Sequence, residues 1–262
     1  MKKYLYIFKA EFMTKLQYVV DLVIDYILFA MMIFLFMNLW NYIYSDPSEL
    51  IHGYSMQEMI WYIVVTEVLY MTLKGARLCK EISKDVKSGS IAYKVNKPYS
   101  YILFNLSSHL GKIFLDNILY IALSLILGTI FIGNIPINIF EGLIVLISCL
   151  LATIISILLI TSIALLSFFI EDAQPFYWLY SKFLLIVGVV FPIEYFPNFF
   201  QGFLKLSPIY VVCYGPAKLF THFTTSNMIN VLLAQIVYIV ISYLICSLVY
   251  KKGVKKLNVN GG

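Results

Sequence analysis

The residues of this chain whose type and position could serve a chemical role are a few acidic residues that lie within apolar sequence. Glu67 lies near the middle of an apolar run at residues 55–73, and Asp21 and Asp25 stand four residues apart at the start of an earlier run. If these runs cross a membrane, inserting an ionised carboxylate at mid-bilayer costs about 2.5–3.5 kcal/mol of free energy. Glu67 must therefore face a cavity, contact a partner helix or bind a proton. We therefore treat all three acids as candidate lining of a polar route. The alternative for Glu67 is a protonated or internally bonded carboxyl that joins two helices.

Enzyme and metal-site motifs are absent from the sequence. It contains no Gly-x-x-x-x-Gly-Lys, His-Glu-x-x-His, Gly-x-Ser-x-Gly or Cys-x-x-Cys pattern. The four cysteines are scattered and show neither metal-ligand nor disulfide spacing. We expect this chain to be no enzyme and to hold no metal and no cofactor of its own.

Composition places the chain in a membrane. Of its 262 residues 61% are hydrophobic and 13% are charged, and the mean hydropathy is +0.86, far from the range of soluble domains. The net charge of +5 comes mostly from lysine and arginine in residues 2–15, 74–97 and 251–256. These positions flank apolar runs, so membrane lipid headgroups explain the basic charge better than nucleic acid does.

The predicted fold is an all-α polytopic membrane protein that forms one domain, residues 1–262. Aromatic and apolar residues recur at helical spacing within residues 1–18, which predicts a helix lying in the membrane interface. Lys112 and Asp116 lie four apart in the first turns of the third span, where they favour a structural ion pair. Six transmembrane helices are expected at about residues 22–44, 55–73, 101–132, 140–169, 176–190 and 228–250.

Residues 74–99 form a basic interval between the second and third spans. Seven lysines and arginines against two acids place this interval, and with it both chain termini, in the cytosol. A helix through Lys87 should break at Ser88-Gly89-Ser90, and a short apolar segment should follow before Lys97-Pro98. We expect a cytosolic elbow that a soluble partner grips; the alternative is a solvated loop. The candidate docking residues are Val86, Lys87, Ser88, Gly89, Ser90, Ile91, Ala92, Tyr93 and Val95.

Residues 191–216 are apolar but contain many helix-breaking residues. Broken backbone at membrane depth is tolerated only where protein or a water-filled cavity covers it. The sequence therefore predicts a re-entrant hairpin on the outer side between spans five and six, although an amphipathic outer loop remains an alternative. The residues that define this segment are Pro192, Glu194, Pro197, Pro208, Gly215 and Pro216.

With these elements in this order, the chain resembles the ABC-2 type permease family along essentially its whole length. The local resemblance lies in Val86 to Tyr93 running into Lys97-Pro98, and in Pro192 and Pro197 followed by Ser207-Pro208 and Gly215-Pro216. The resemblance implies a multi-pass protein of the bacterial cytoplasmic membrane. Two such permease chains, the same or related, would pair through spans one and five, and two separate ATPase subunits carrying ATP and Mg²⁺ would dock on the elbows. Substrate would leave through a pathway lined by spans one, two and five, close to Glu67.

Other functions fit the same features. A membrane scaffold or sensor subunit would bind a cytosolic partner through the elbow and translocate nothing, and a coupling subunit of an importer would also use cytosolic elbow helices. The interior is rich in aromatic residues, with 21 tyrosines and 20 phenylalanines. If the chain transports, this interior favours an amphipathic or lipid-like substrate, such as a peptide, a drug or a lipid, over a small ion.

Overall fold

The structure, a computed structural model, describes residues 2–17, 19–44, 46, 49–73, 75–170 and 172–260. Within these ranges the chain is helical, and the sole β contact is an isolated bridge between Ile51 and Tyr54. Short 3₁₀ turns occur at Leu165–Phe168 and Ile193–Tyr195, and π-helical turns at Leu185–Val190 and Tyr210–Tyr214. The α-helices are α1 (Lys2–Lys15), α2 (Val19–Ile43), α3 (Met56–Leu73), α4 (Gly75–Lys87), α5 (Ile91–Val95), α6 (Tyr101–Phe131), α7 (Ile139–Ala164), α8 (Gln174–Leu184), α9 (Asn198–Lys205), α10 (Gly215–Thr221) and α11 (Thr225–Asn260).

Five helical stretches in the described part of the chain are long and apolar enough to cross a membrane. They are Val23–Ile43, Met56–Lys87, Tyr101–Phe131, Ile139–Phe168 and Thr225–Lys256. The expected fifth span corresponds to a shorter apolar helix, Gln174–Val190, which at about 1.5 Å per residue extends roughly 25 Å against a hydrocarbon core of about 30 Å. The all-α polytopic prediction is therefore confirmed, whereas the count of six full-length spans is not.

Side-chain caps fix where two of the spans begin. Ser55 precedes α3, and its backbone N–H and hydroxyl both donate to Glu58 at 2.8 Å. Asn138 precedes α7, accepts from the backbone N–H groups of Phe140 and Glu141, and donates its own N–H back to Glu141. These reciprocal bonds satisfy orphan backbone donors at the helix start. Both caps begin a helix at the same end of the bundle.

The N-terminal helix packs along the beginning of α6. Phe8 and Phe12 make edge-on contacts with Phe114, with ring centroids 5.4 and 5.8 Å apart. Ser108 on α6 donates a hydrogen bond of 2.8 Å to Glu11. The aromatic stripe that predicted an interfacial helix therefore faces another helix of the same chain, at least through these two rings.

The predicted ion pair between Lys112 and Asp116 is wrong. Lys112 lies 2.8 Å from Glu81 on α4, and Asp116 lies 3.4 Å from Lys15 on α1. Both residues occur on α6 between two neighbouring helices, so each is closer to an opposite charge from another element than to its own helix partner. The two pairs attach α1 and α4 to α6.

The hydrophobic core is organised around α3. Most of its residues are buried, including Trp61 and Tyr62, and they contact α2, α6, α7, α10 and the π-helical turn that follows α8. A second cluster lies beneath α4 and α5 and includes Ile82, Ile91 and Phe168. We call the end of the bundle that carries residues 75–99 the elbow end, and the opposite end the hairpin end.

The segment that follows α8 enters the bundle and returns. Gly188 faces Ile209 and Cys213, because a Cβ at Gly188 would lie 3.1 Å from an atom of each. The carbonyl of Leu206 accepts a hydrogen bond from Tyr238, well inside α11. From there the chain runs back through α10, which ends beside residues of the hairpin end. A re-entrant hairpin on the outer side of a membrane stays a prediction.

The returning arm of this segment, from Tyr210 to Thr221, stays helical through Pro216. A side chain of another helix supplies the hydrogen bond that its backbone lacks there. Pro216 has no N–H, so the carbonyl of Val211, five residues earlier in the π-helical turn, lacks its helical donor. Gln235 on α11 donates to that carbonyl at 2.9 Å and to the carbonyl of Ser148 on α7 at 3.0 Å. The hydroxyl of Ser148 in turn donates to Gln235 at 3.1 Å. The fully buried Gln235 thus joins α7, α11 and the returning arm.

A carboxylate holds the two arms of the hairpin together at the hairpin end. Glu194 accepts from Tyr214 at 2.5 Å, from Lys218 at 3.0 Å and from Tyr54 at 3.3 Å. Burial alone would raise the pKa of Glu194, but the hydrogen bond from Tyr214 and the positive charge of Lys218 outweigh it and lower the pKa. The contact therefore favours the ionised form of Glu194.

We expect Gln235→Leu to destabilise the folded protein by about 2–4 kcal/mol, because it leaves the buried carbonyl of Val211 without a donor and removes both hydrogen bonds between Gln235 and Ser148. The measurement is thermal unfolding in detergent micelles. Gln57 is exposed on α3, so Gln57→Leu is the matched control and should change the midpoint little. Equal midpoints for Gln235→Leu and wild type would contradict this role of Gln235.

Acid should weaken the Glu194 contact in a defined pH window. Because the pKa is lower in the folded than in the unfolded state, the stabilisation is present above the ordinary value of 4.5 and is lost as the pH falls through the lower folded value. Glu194→Gln should therefore lower the unfolding midpoint at pH 7 and flatten its decline below pH 4.5. The exposed Glu49 provides the control Glu49→Gln, and identical pH profiles for both variants would exclude the proposed contribution of Glu194.

Candidate functional site

The interval between α3 and α6 is a helical elbow with a defined break. Helix α4 ends at Lys87, Gly89 adopts a positive φ of +71°, and α5 begins at Ile91. A positive φ is strained for residues with a Cβ, so glycine allows the reversal here. The backbone N–H of Ala92 donates to Gly89 at 3.0 Å and closes the turn.

Asp85 holds α5 against α4 and α6. Its carboxylate accepts from Lys94 on α5, from Ser90 at 3.2 Å and from Tyr101 on α6 at 3.3 Å. The hydroxyl of Ser90 also reaches the Asp85 backbone carbonyl at 3.3 Å. Since one side chain joins three elements, we expect the elbow to move as a rigid body.

The apolar residues predicted to form one docking face of the elbow lie partly in the core and partly on the surface. Ile91 is fully buried in the cluster beneath the elbow, and Val86 is 8% exposed. Ile91 is therefore part of the core and offers nothing to a soluble partner, which corrects the expectation that it belongs to a docking face. Tyr93, by contrast, is 80% exposed. Val95 is half-buried, and the accessible elbow residues of the predicted set are Lys87, Ser88, Gly89, Ala92 and Tyr93.

A cavity of about 460 Å³ lies between the spans near the elbow. Its walls come from α2, α3, α4, α6, α7 and α8, so it is bounded by the helices that correspond to spans one, two and five. Four of its lining residues are tyrosines, and Tyr70 shares a hydrogen bond of 3.1 Å with Ser181. The lining residues are Asp25, Leu28, Tyr70, Met71, Leu73, Ala76, Arg77, Tyr120, Ile160, Tyr177, Tyr180, Ser181 and Leu184.

One acid and one base line this cavity from different helices. Asp25 belongs to α2 and is half-buried, whereas Arg77 belongs to α4, is exposed and pairs with Glu81 at 3.2 Å. Most of the other lining residues are aromatic or aliphatic. Such a surface suits a molecule that has apolar bulk and few polar groups. In the described residues no group of His, Cys, Asp and Glu could hold a metal ion.

Glu67 does not line this cavity. It is completely buried in α3, and neither carboxylate oxygen has a hydrogen-bond partner among the described residues. Tyr70, which does line the cavity, lies three residues further along the same helix. The nearest lining residue of α3 is therefore about one helical turn from Glu67. Of the other candidate acids, Asp25 lines the cavity, while the side chain of Asp21 falls outside the described part of the chain.

Sequence reasoning missed most of the cavity wall. The pair Tyr177 and Tyr180 lies three residues apart on one helix face, a signal that was available in the sequence. Tyr120 could not have been identified, because its position opposite α2 depends on how α6 packs. Gln235 was also overlooked, although an amide in the middle of an otherwise apolar span costs free energy unless it is bonded.

Comparison with known families agrees with this architecture. A family model described as ABC-2 family transporter protein matches residues 27–261. The match includes the elbow, the cavity residues other than Asp25, and the returning hairpin, but not α1 or Asp21. A search of curated proteins gives no significant match. Because the model covers most of the chain, the protein belongs to the ABC-2 transporter family, whose members are membrane components of ABC transporters.

Proposed function

We propose that the chain is the permease subunit of an ABC exporter, which works with a second permease chain and two separate ATPase subunits. The observation that carries the proposal is the elbow: Tyr93 is 80% exposed on a segment whose inner side is anchored by Ile91 and Asp85. An exposed aromatic residue on a rigid support is typical of a protein-binding hot spot. ATP and Mg²⁺ would be bound by the ATPase subunits, which lie in the cytosol if the basic elbow does.

The elbow connects a docking surface to the cavity through one helix. Arg77 in the first turns of α4 lines the cavity, and Val86 near its other end packs beneath α5. Gly75 leaves no space at the start of α4, because a Cβ there would lie 2.6 Å from Ile160 and 2.8 Å from Tyr177. A force applied at Tyr93 would therefore shift α4 against α7 and α8, two walls of the cavity.

The cavity supports an amphipathic or lipid-like substrate, such as a peptide, a drug or a lipid. Its tyrosine rings supply apolar contact with polar edges, and Asp25 and Arg77 supply one charge of each sign. A second permease chain would face it across α2 and α8, which carry exposed apolar residues such as Ile24, Phe34 and Trp178. The two chains would close around the substrate and then open the pathway towards the hairpin end, which would release the substrate outside.

Tyr93→Ala should weaken binding of the ATPase subunits, because burial of one aromatic side chain contributes about 1.5–3 kcal/mol, or roughly a 10- to 100-fold change in affinity. The measurement is retention of co-expressed ATPase subunits during purification, followed by ATP hydrolysis of the retained complex. Tyr42 is 86% exposed at the hairpin end, so Tyr42→Ala is the matched control.

Both variants should insert and show the unfolding midpoint of wild type, since neither tyrosine is buried. Retention of the ATPase subunits by Tyr93→Ala at wild-type level would remove the main support for the elbow as their docking site. Retention without any substrate-dependent hydrolysis in wild type would favour a scaffold or sensor.

Ala76→Phe should obstruct the cavity, because Ala76 lines it and a phenyl group adds bulk between α4 and α8. We expect ATP-driven uptake of an amphipathic fluorescent dye into inverted vesicles that contain the complete complex, which corresponds to export from a cell, to fall at least about tenfold, a barrier change of roughly 1.4 kcal/mol. Ala10 is exposed on α1, and Ala10→Phe should leave export unchanged. Unimpaired export by Ala76→Phe, with normal assembly, would exclude this cavity from the substrate pathway.

A further inference from the structure

Glu67 is a carboxyl group buried without a partner inside a candidate membrane span. It belongs to the apolar stretch Met56–Lys87 and is completely buried. Neither of its oxygens has a hydrogen-bond partner among the described residues, and no charged side chain in the same part of the chain acts on it. An ionised carboxylate that leaves water needs cations or hydrogen-bond donors around it. The surroundings of Glu67 supply neither, so they do not stabilise its ionised form.

Two other shielded acids of this chain show the contrast. The side chain of Asp116 is 1% exposed, but Lys15 lies 3.4 Å from it. Glu194 is half-buried and accepts from Lys218 at 3.0 Å. Each of these two carboxylates therefore has a cation next to it. The folded chain places no such cation beside Glu67, although the group is buried at least as deeply.

Glu67 lies where α3 meets both arms of the segment that enters the bundle. The preceding residue, Thr66, donates to the carbonyl of Val189 in the π-helical turn after α8, at 3.1 Å. Glu67 itself interacts electrostatically with Cys213 on the returning arm. Both turns pack on α3 and on each other. Water can therefore reach the carboxyl only if these contacts with α3 open.

The histidines that neighbouring elements bring to α3 lie at other depths. His109 on α6 bonds to the carbonyl of Leu73 at 2.9 Å, and His222 after α10 lies 3.3 Å from Glu58. Leu73 and Glu58 are six and nine residues from Glu67, which is about 9 and 14 Å along the helix. The π-helical turn after α8 carries no titratable residue. The other charged groups and thiols described on the elements packed against α3 are Asp25, Lys112, Asp116, Glu141, Cys149, Cys213 and Lys218.

We propose that Glu67 is a proton-binding site whose carboxyl carries a proton in the packed state and ionises only when the two arms separate from α3. A neutral carboxyl costs far less free energy to bury than a charged one. Separation of the arms would admit water, which stabilises the ionised form. Because coupling is reciprocal, the bound proton in turn stabilises the closed contact. This proton site is independent of the proposed export function.

Infrared spectroscopy tests the protonation state directly, because the carbonyl stretch of a protonated carboxyl is separate from the bands of an ionised carboxylate. The full chain is measured in nanodiscs at about pH 6, where an exposed glutamate is ionised because its ordinary pKa is about 4.3. Subtracting the spectrum of Glu67→Gln from that of wild type should leave a protonated-carboxyl band. Asp116→Asn is the control matched in burial, and its difference spectrum should contain carboxylate bands only. The absence of a protonated-carboxyl band from the Glu67→Gln difference would overturn the proposal.

Proton release on unfolding provides a measurement that needs no spectral assignment. At about pH 6 an ionised Glu67 would release nothing when the chain unfolds, whereas a protonated one releases its proton to water. With a pH indicator in weakly buffered detergent, wild type should release about one proton per chain more than Glu67→Gln, and Asp116→Asn should release as many as wild type. Equal release by wild type and Glu67→Gln would show that Glu67 binds no proton.

Cys213 reports on the coupling between the proton and the returning arm, because it is completely buried there. In a chain that keeps Cys213 as its sole cysteine, modification by N-ethylmaleimide should accelerate as the pH rises. Part of this acceleration reflects formation of the thiolate, which is the nucleophile, and the same chain with Glu67→Gln measures that part. The chain that retains Glu67 should accelerate more steeply than the Glu67→Gln chain. The same pH dependence in both chains would contradict the coupling to separation of the arms.

Discussion

The fold depends on satisfying backbone carbonyl groups that its broken helices release inside the bundle. A membrane interior has no water to bond them, so side chains must do so. At the π-helical turn after α8, Tyr62 donates to the carbonyl of Gly188 at 2.8 Å and Thr66 to that of Val189 at 3.1 Å. At the turn before α10, Gln235 performs the same role for Val211. Because α3 and α11 supply these donors, the carbonyl groups of Gly188, Val189 and Val211 are paired inside the bundle.

The features that were predictable from the sequence are those that depend on local chemistry. Apolar runs, the glycine and proline breaks and the basic elbow each act over a few residues, and the helices of the structure follow them closely. The returning arm of the hairpin shows where this fails. Pro216 indicated an interruption, yet the helix continues to Thr221 because Gln235, nineteen positions later, replaces the missing bond. A local pattern cannot reveal a donor that arrives from another helix.

The same limit applies to the candidate sites. Tyr93 and Ile91 are two residues apart in an apolar segment, and no local pattern distinguishes the one from the other. In the structure Ile91 packs into the cluster beneath α4 and α5, whereas Tyr93 is exposed. The partners of Lys112 and Asp116 were misassigned for a related reason, since a long lysine side chain reaches a neighbouring helix as easily as its own. Burial and pairing are properties of the assembled bundle.

The length of α11 has an electrostatic consequence. Its 36 residues extend roughly 54 Å, whereas the hydrocarbon core is about 30 Å thick, and its last turns pack at the elbow end, where Gly253 lies against Phe168. Four exposed lysines on these turns lie at the same end of the bundle as the exposed lysines of the elbow. Together they form a positive field at one end of the bundle, which attracts acidic surfaces in solution at low ionic strength and is screened as salt rises. The association rate of an acidic soluble partner at this end should therefore depend on salt concentration more strongly than the dissociation rate of the complex does.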